Sequence, residues 1–404
     1  MRIASWSVLL LLPFVVATAG CKKKKENPAA PPPPIDAPKK DISSGQGPGP
    51  RKLVNLGEPF AAAPDGAAGQ PGLAVDKDGK PLLAWVEQGA VQVRRWNGSA
   101  WDALGAPAND ATKRASGAPA LAFAADGAVL AGWSEMNKKD VAVFQIARWK
   151  DGAWTQLGEL GGGQPISDPA LAISSLGPIA VWREATAVPG QIAVHVRVHD
   201  GTAWTPLGSG VLVGAPDSGT IKVAPSLTTA GDRIVVAWIE RTPAIVLNIR
   251  RWDAATSAWV EVPAPVGADG ESTLSVAVAP DGGLTCSLSY NSGLRQLRTL
   301  APGATEWKII DVPEFSNGYV TGQRLVAAED GRAIFTYPFG GRFAWWDGKA
   351  WTATPVGVMA PSPVVPAAAS GPGGVVFVAW SAGPANGPTK VRVLEVKQQA
   401  LGEP

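Results

Sequence analysis

Three features of the sequence predict an all-β fold, a seven-bladed β-propeller of four-stranded antiparallel blades preceded by a disordered tether. A bulky aromatic hairpin recurs along the chain, and a strand-only unit of roughly fifty residues repeats seven times. No window sustains the 3.6-residue apolar period of a helix, because Gly, Pro and β-forming residues interrupt each one. At 404 residues the chain is long enough to bury a large core.

The first 50 residues do not belong to that core. Residues 1–20 read as a secretory signal: Arg2, an apolar run from Val8 to Val16, then small residues up to Cys21. The run is too short and poorly flanked to span a membrane as a helix. "TAGC" (18–21) resembles the bacterial lipoprotein lipobox, with Thr18 where Leu is usual. The resemblance implies cleavage before Cys21, lipid on its thiol, and a place in the bacterial cell envelope, with the outer membrane favoured over the inner. A plain signal peptide with Cys21 incidental is the alternative. Residues 21–50 carry four consecutive lysines and then "NPAAPPPPIDAPKKDISSGQGPGP", a composition that forms no core and reads as a semi-extended linker. Beside a lipid anchor those lysines would sit among anionic headgroups.

The formal charge of +2 comes from this leader. The chain has 36 basic and 34 acidic residues; the first 50 hold seven and three, which leaves 29 and 31 beyond. The remainder carries no basic stripe, so nucleic acid is not an expected partner. Only two cysteines occur, and Cys286 sits in an apolar alternating stretch as a small hydrophobe.

Residues 51–404 contain the repeat, with units starting near Gly72, Pro119, Pro169, Pro225, Leu274, Arg324 and Ala367. Each opens with a short apolar strand, turns at an Asp-Gly-type step, and returns as a second strand often ending in Ala-Trp. A third strand, the tryptophan hairpin and a fourth strand ending in Leu-Gly follow. Second strands such as "PLLAW" (81–85) and "IVVAW" (234–238) are apolar at successive positions, as strands covered on both faces must be. The fifth and sixth units carry Leu288 and Tyr337 in place of that Trp, and the seventh restores Trp380. "KLVNLGEP" (52–59) reads as a detached fourth strand that closes the last blade, and the C-terminal "QALGEP" (399–404) is the alternative. Either clasp would remove an exposed sheet edge.

The hairpin itself appears as "RRWNGSAW" (94–101), "RWKDGAW" (148–154), "VHDGTAW" (198–204), "RRWDAATSAW" (250–259) and "WWDGKAW" (345–351). Asn-Gly and Asp-Gly supply the positive φ of a tight turn. Trp96 with Trp101, Trp149 with Trp154, and Trp346 with Trp351 then face each other across it. The structural reading is that blades splay apart with distance from the axis and need large outer side chains. A functional reading comes from resemblance: "RWNGSAWDALG" and "VHDGTAWTPLG" are similar to the repeats of seven-bladed bacterial propeller lectins. This implies sugars held between blades, with Trp96, Trp101, Trp149, Trp154, Trp204, Trp346 and Trp351 as stacking surfaces. More distantly, Asp200-Gly201-x-x-Trp204 and Asp347-Gly348-x-x-Trp351 resemble the Asp-box turn of sialidases, one residue short. Kelch and WD40 repeats are poorer matches.

Four consecutive units end the second strand with Trp-x-Glu: Trp85/Glu87, Trp133/Glu135, Trp182/Glu184 and Trp238/Glu240. Residues two apart on a strand share a face. The expectation is four carboxylates gathered on one face of blades one to four, forming a docking surface for a cationic ligand or partner. In the later units Asn291, Phe339 and Ala382 take their place. The alternative is that each Glu bonds its own loop or a neighbouring Arg, such as Arg183 or Arg241.

No catalytic residue, metal site or cofactor is predicted. His195 and His199 share one strand without a Cys or carboxylate cluster, "DKDG" (76–79) is a turn, and "GGG" (161–163) precedes no helix. Tyr290, Tyr319 and Tyr337 lack an accompanying Arg set. The expected function is therefore non-catalytic: a platform for another envelope protein. Binding of surface glycan is second, and a degenerate glycan-active enzyme third.

Overall fold

The computed structural model describes residues 51–61, 67–107, 114–161, 163–212, 220–241, 245–265, 271–290, 295–311, 324–327, 333–336, 343–346, 351–353, 366–372, 375–383 and 389–398. Cys21, the linker, Asn291, Tyr319, Tyr337 and Phe339 lie outside the described residues. The strands form seven four-stranded antiparallel sheets. Blade one holds β2 (Gly72–Val75), β3 (Pro81–Glu87), β4 (Ala90–Trp96) and β5 (Trp101–Ala103). Blade two holds β6 (Ala115–Phe123), β7 (Val129–Met136), β8 (Ala142–Lys150) and β9 (Ala153–Gly161). Blade three holds β10 (Ser167–Ser174), β11 (Gly177–Ala185), β12 (Ile192–His199) and β13 (Trp204–Leu212). Blade four holds β14 (Thr220–Ala230), β15 (Arg233–Arg241), β16 (Ile245–Asp253) and β17 (Ala258–Glu261). Blade five holds β18 (Glu271–Val278), β19 (Leu284–Tyr290), β20 (Arg295–Leu300) and β21 (Lys308–Asp311). The next sheet, β22 (Arg324–Ala327), β23 (Ala333–Thr336), β24 (Phe343–Trp346) and β25 (Trp351–Ala353), is described almost wholly through its backbone.

The closing blade joins the two ends of the chain. It contains β26 (Ala367–Ser370), β27 (Val376–Ala382) and β28 (Lys390–Gln398), and β1 (Arg51–Asn55) is its outer strand, in register from Arg51 opposite Gln398 to Asn55 opposite Leu394. The N-terminal segment is thus the clasp. Phe60 extends it by exchanging both backbone hydrogen bonds with Val391, at 3.1 and 2.8 Å. Its ring lies against Trp85 and Trp101, with centroids 5.5 and 5.6 Å away, and Arg94 sits over it.

Six sheets are simple meanders from inside to outside, and the closing sheet departs from this only in taking its outer strand from the N-terminal segment, so the fold is a β-propeller. First strands lie against one another around the axis, β2 on β6 through to β22 on β26 and β26 on β2. At Gly72 a Cβ would stand 1.8 Å from the Pro119 carbonyl oxygen, so β2 and β6 meet backbone to backbone. Between blades four and five the inner strands are stitched by hydroxyls. Val276 N–H donates to Ser226 Oγ at 2.9 Å, and Val278 N–H to Thr228 Oγ1 at 3.2 Å.

The core is a set of layers between blades. In β15, Ile234, Val236 and Trp238 pack with blade three, while Val235, Ala237 and Ile239 pack with blade five. In β3, Leu83 and Trp85 face the closing blade, and Leu82 and Ala84 face blade two. This two-sided burial is why second strands are continuously apolar. Trp85, Trp133, Trp182 and Trp238 are the largest fully buried side chains, and each points toward the preceding blade. Each ring removes about 150–250 Å² from water, on the order of 4–6 kcal/mol. Cys286 belongs to the layer between blades four and five and is fully buried.

The antiparallel order gives the ring two faces. Turns between first and second strands and the tryptophan hairpins lie on one, the hairpin face. Connections between second and third strands lie on the other, the loop face.

Candidate functional site

The four Trp-x-Glu motifs lie inside the protein. In each, the indole N–H donates to the carboxyl group two residues on: Trp85 to Glu87 at 2.8 Å, and Trp133 to Glu135, Trp182 to Glu184 and Trp238 to Glu240 at 2.7 Å. Glu87, Glu135, Glu184 and Glu240 are only 1–8% exposed. The expected acidic docking surface is therefore corrected: these side chains are structural acceptors beneath the loop face. The cause is the indole, whose buried donor needs an acceptor on the same strand face. Glu184 also accepts from Gln164 N at 3.0 Å, tying the connection from blade two into blade three.

The outer tryptophans latch one blade to the one before it. Trp101 Nε1 donates to Leu56 O at 2.9 Å, Trp154 to Leu104 O at 2.9 Å, Trp259 to Leu207 O at 3.0 Å, and Trp307 to Pro263 O at 2.7 Å. The acceptor is usually the Leu of the preceding Leu-Gly. At Gly208, whose φ is +62°, a Cβ would meet the Trp252 and Trp259 rings at 2.9 and 3.2 Å. Trp96 and Trp101 lie 5.4 Å apart and flank the cluster that holds Leu56. Trp149 and Trp154 flank the layer between blades one and two, and Trp204 the layer between two and three. All are engaged in inter-blade packing, which is the structural reading of the hairpin. Trp346 and Trp351 face each other in register, but their side chains lie outside the description.

The two histidines both belong to β12, at the joint of blades two and three. His195 stacks on Trp182, with centroids 5.4 Å apart and planes 18° from parallel. Its Nε2 is buried and has no hydrogen-bond partner. His199 meets Trp204 edge-on at 5.1 Å, and its Nδ1 accepts from Gly201 N at 3.1 Å. Burial pushes both imidazoles below their ordinary value of 6.5, with Glu184 opposing the shift at His195 and Asp200 at His199. Among the described residues no three His, Cys, Asp or Glu side chains converge as a metal site.

The axis and the loop face both present surface that a ligand could reach. An axial cavity of about 520 Å³ is lined by all seven first strands, without a charged side chain among its described lining. On the loop face, Met136, Val188 and Val246 are 43, 55 and 41% exposed. They stand at the connections between second and third strands in blades two, three and four, where sequence reading looked for carboxylates. Each lies within six residues of the glutamate of its Trp-x-Glu motif.

No family model and no curated protein matches this chain. Among solved structures, the β-propeller domain of the Trilobed protease from Pyrococcus furiosus aligns at TM-score 0.51 and 12% identity, covering 84% of this chain and 100% of that one. Virginiamycin B lyase from Staphylococcus aureus aligns at TM-score 0.50 and 13% identity, covering 85% and 99%. The chain shares their propeller fold. At such identity, the likeness carries the fold alone.

Two outcomes test the interior. Glu240→Ala, which strands the Trp238 donor, is expected to lower stability by about 1–3 kcal/mol, and Glu240→Gln by less, in urea unfolding followed by tryptophan fluorescence. For the histidines, a depressed folded pKa means the unfolded chain binds protons first. Stability is then full above 6.5 and falls as pH drops below that value. His195→Gln, the residue found opposite the tryptophan as Gln92 and Gln145 in blades one and two, is expected to flatten that slope between about pH 7 and 5.

Proposed function

We propose that this chain is a lipid-anchored protein of the bacterial envelope whose seven-bladed propeller serves as a non-catalytic docking platform for another envelope protein. The observation that carries the reading is the row of Met136, Val188 and Val246, exposed apolar side chains on one face of three consecutive blades, with Val211 also exposed at the loop-face end of β13. A water-facing apolar row stabilises nothing in the free chain, whereas covering it with a partner removes it from water. Rigid blades hold the row in fixed geometry, which spares a partner the ordering cost of a flexible surface. "TAGC" before the lysine- and proline-rich linker supports the anchor, with Cys21 as the lipidated residue.

The test is affinity capture with the full chain from envelope extract, against a Met136→Lys/Val188→Lys/Val246→Lys variant. The expected result is a stoichiometric protein partner on the parent chain that is lost from the variant, while the melting temperature is unchanged. A partner retained equally by both overturns the assignment of this face. In parallel, metabolic labelling with a fatty acid is expected to mark the parent and leave Cys21→Ala unlabelled.

A further inference from the structure

The joint between blades two and three differs from its neighbours. At four other described joints the outer tryptophan donates to the backbone of the preceding blade. Here Trp204 Nε1 is buried without a partner, and Leu157, which occupies the acceptor's place, lines an open groove instead. Gly158, after it, has φ of +120°, against +79°, +76° and +62° at Gly57, Gly105 and Gly208. The groove lies on the hairpin face and encloses about 660 Å³. That is within the range of small-molecule sites.

Its lining divides by chemistry. The apolar floor is Leu130, Leu157, Pro178 and Leu176, the last 41% exposed. On the blade-two side Arg148 reaches the groove and is ion-paired with Asp126, which Lys150 also contacts at 2.7 Å. Two cations share one carboxylate, so this end carries a net positive charge. On the blade-three side stands Asp200, next to His199. Asp200 is held at about 2 by hydrogen bonds from the Thr202 hydroxyl and from the backbone of Ala203 and Thr202, so it is charged throughout the physiological range. No basic side chain among the described residues pairs with it.

We propose that this groove binds a small zwitterion with an apolar body, a free amino acid or short peptide, its carboxylate toward Arg148, its ammonium toward Asp200, and its side chain over Leu157 and Leu176. A neutral polyol would leave both charged ends without counter-charges, and an anion or a cation would satisfy only one. The site is on the opposite face from the platform proposed above, so either assignment can fail without the other.

The experiment is calorimetric titration of the full chain with leucine and leucyl-leucine, beside N-acetyl-leucine, leucinamide and glucose. Leucine or its dipeptide is expected to bind, with affinity lost about tenfold or more when either terminus is capped. Arg148→Gln and Asp200→Asn are each expected to weaken binding by a similar factor. The second keeps the hairpin's side-chain acceptor, the role Asn97 fills in blade one, so its fold is preserved and its melting temperature reports this directly. Equal binding of the capped and uncapped forms overturns the proposal, as do binding of glucose at the same groove and silence from leucine and its dipeptide.

Discussion

The structure depends on burying second strands from both sides. A single blade has a continuously apolar central strand and no means to cover both of its faces, so each blade folds only as part of a stack. The alternation in β15, with Ile234, Val236 and Trp238 toward blade three and Val235, Ala237 and Ile239 toward blade five, expresses that constraint residue by residue. Other contacts refine it. The latches from Trp101, Trp154 and Trp259 close the outer rim, where blades diverge, and the hydroxyls of Ser226 and Thr228 close the inner one. The backbone pairing of β1 with β28 turns a stack into a ring without a free edge strand at its seam.

The same constraint explains the buried glutamates. A tryptophan large enough to fill the space between two blades brings a donor into a place that water does not reach. Supplying the acceptor from the same strand, two residues on, satisfies that donor whatever the neighbouring blade contributes. Repetition of the pair in four blades is repetition of a packing solution, and the ligand-bearing chemistry has to be sought elsewhere.

The all-β propeller class was legible because turn chemistry and bulk are local. Asn97-Gly98 and Asp200-Gly201 announce hairpins, and "PLLAW" announces a strand covered on both faces. Closure by the N-terminal segment was legible from the echo of "WDALG" in "KLVNLG". The position of Glu87, Glu135, Glu184 and Glu240 was misread because strand periodicity gives a face without telling whether another blade covers it. An acid at a strand end looks like a surface residue until the indole two residues back is seen to point inward with it. Neither the exposed row of Met136, Val188 and Val246 nor the groove beside Trp204 was legible. The first consists of ordinary apolar residues at a strand end, in a connection and at a strand start, which share no sequence pattern. The second arises from a latch left unmade; "VHDGTAW" differs from the other four hairpins in carrying His199 where they carry a first tryptophan, but that substitution does not announce that Trp204 lacks an acceptor.

The most direct test of inter-blade burial is urea unfolding of a fragment of residues 72–265, blades one to four without their outer neighbours, beside the full chain. Exposed layers at both ends and the missing clasp should leave the fragment with a transition midpoint well below that of the full chain, and should expose surface that binds a hydrophobic dye. A fragment that unfolds at the same midpoint, with the same cooperativity per residue, would show that blades are stable by themselves and would contradict the account.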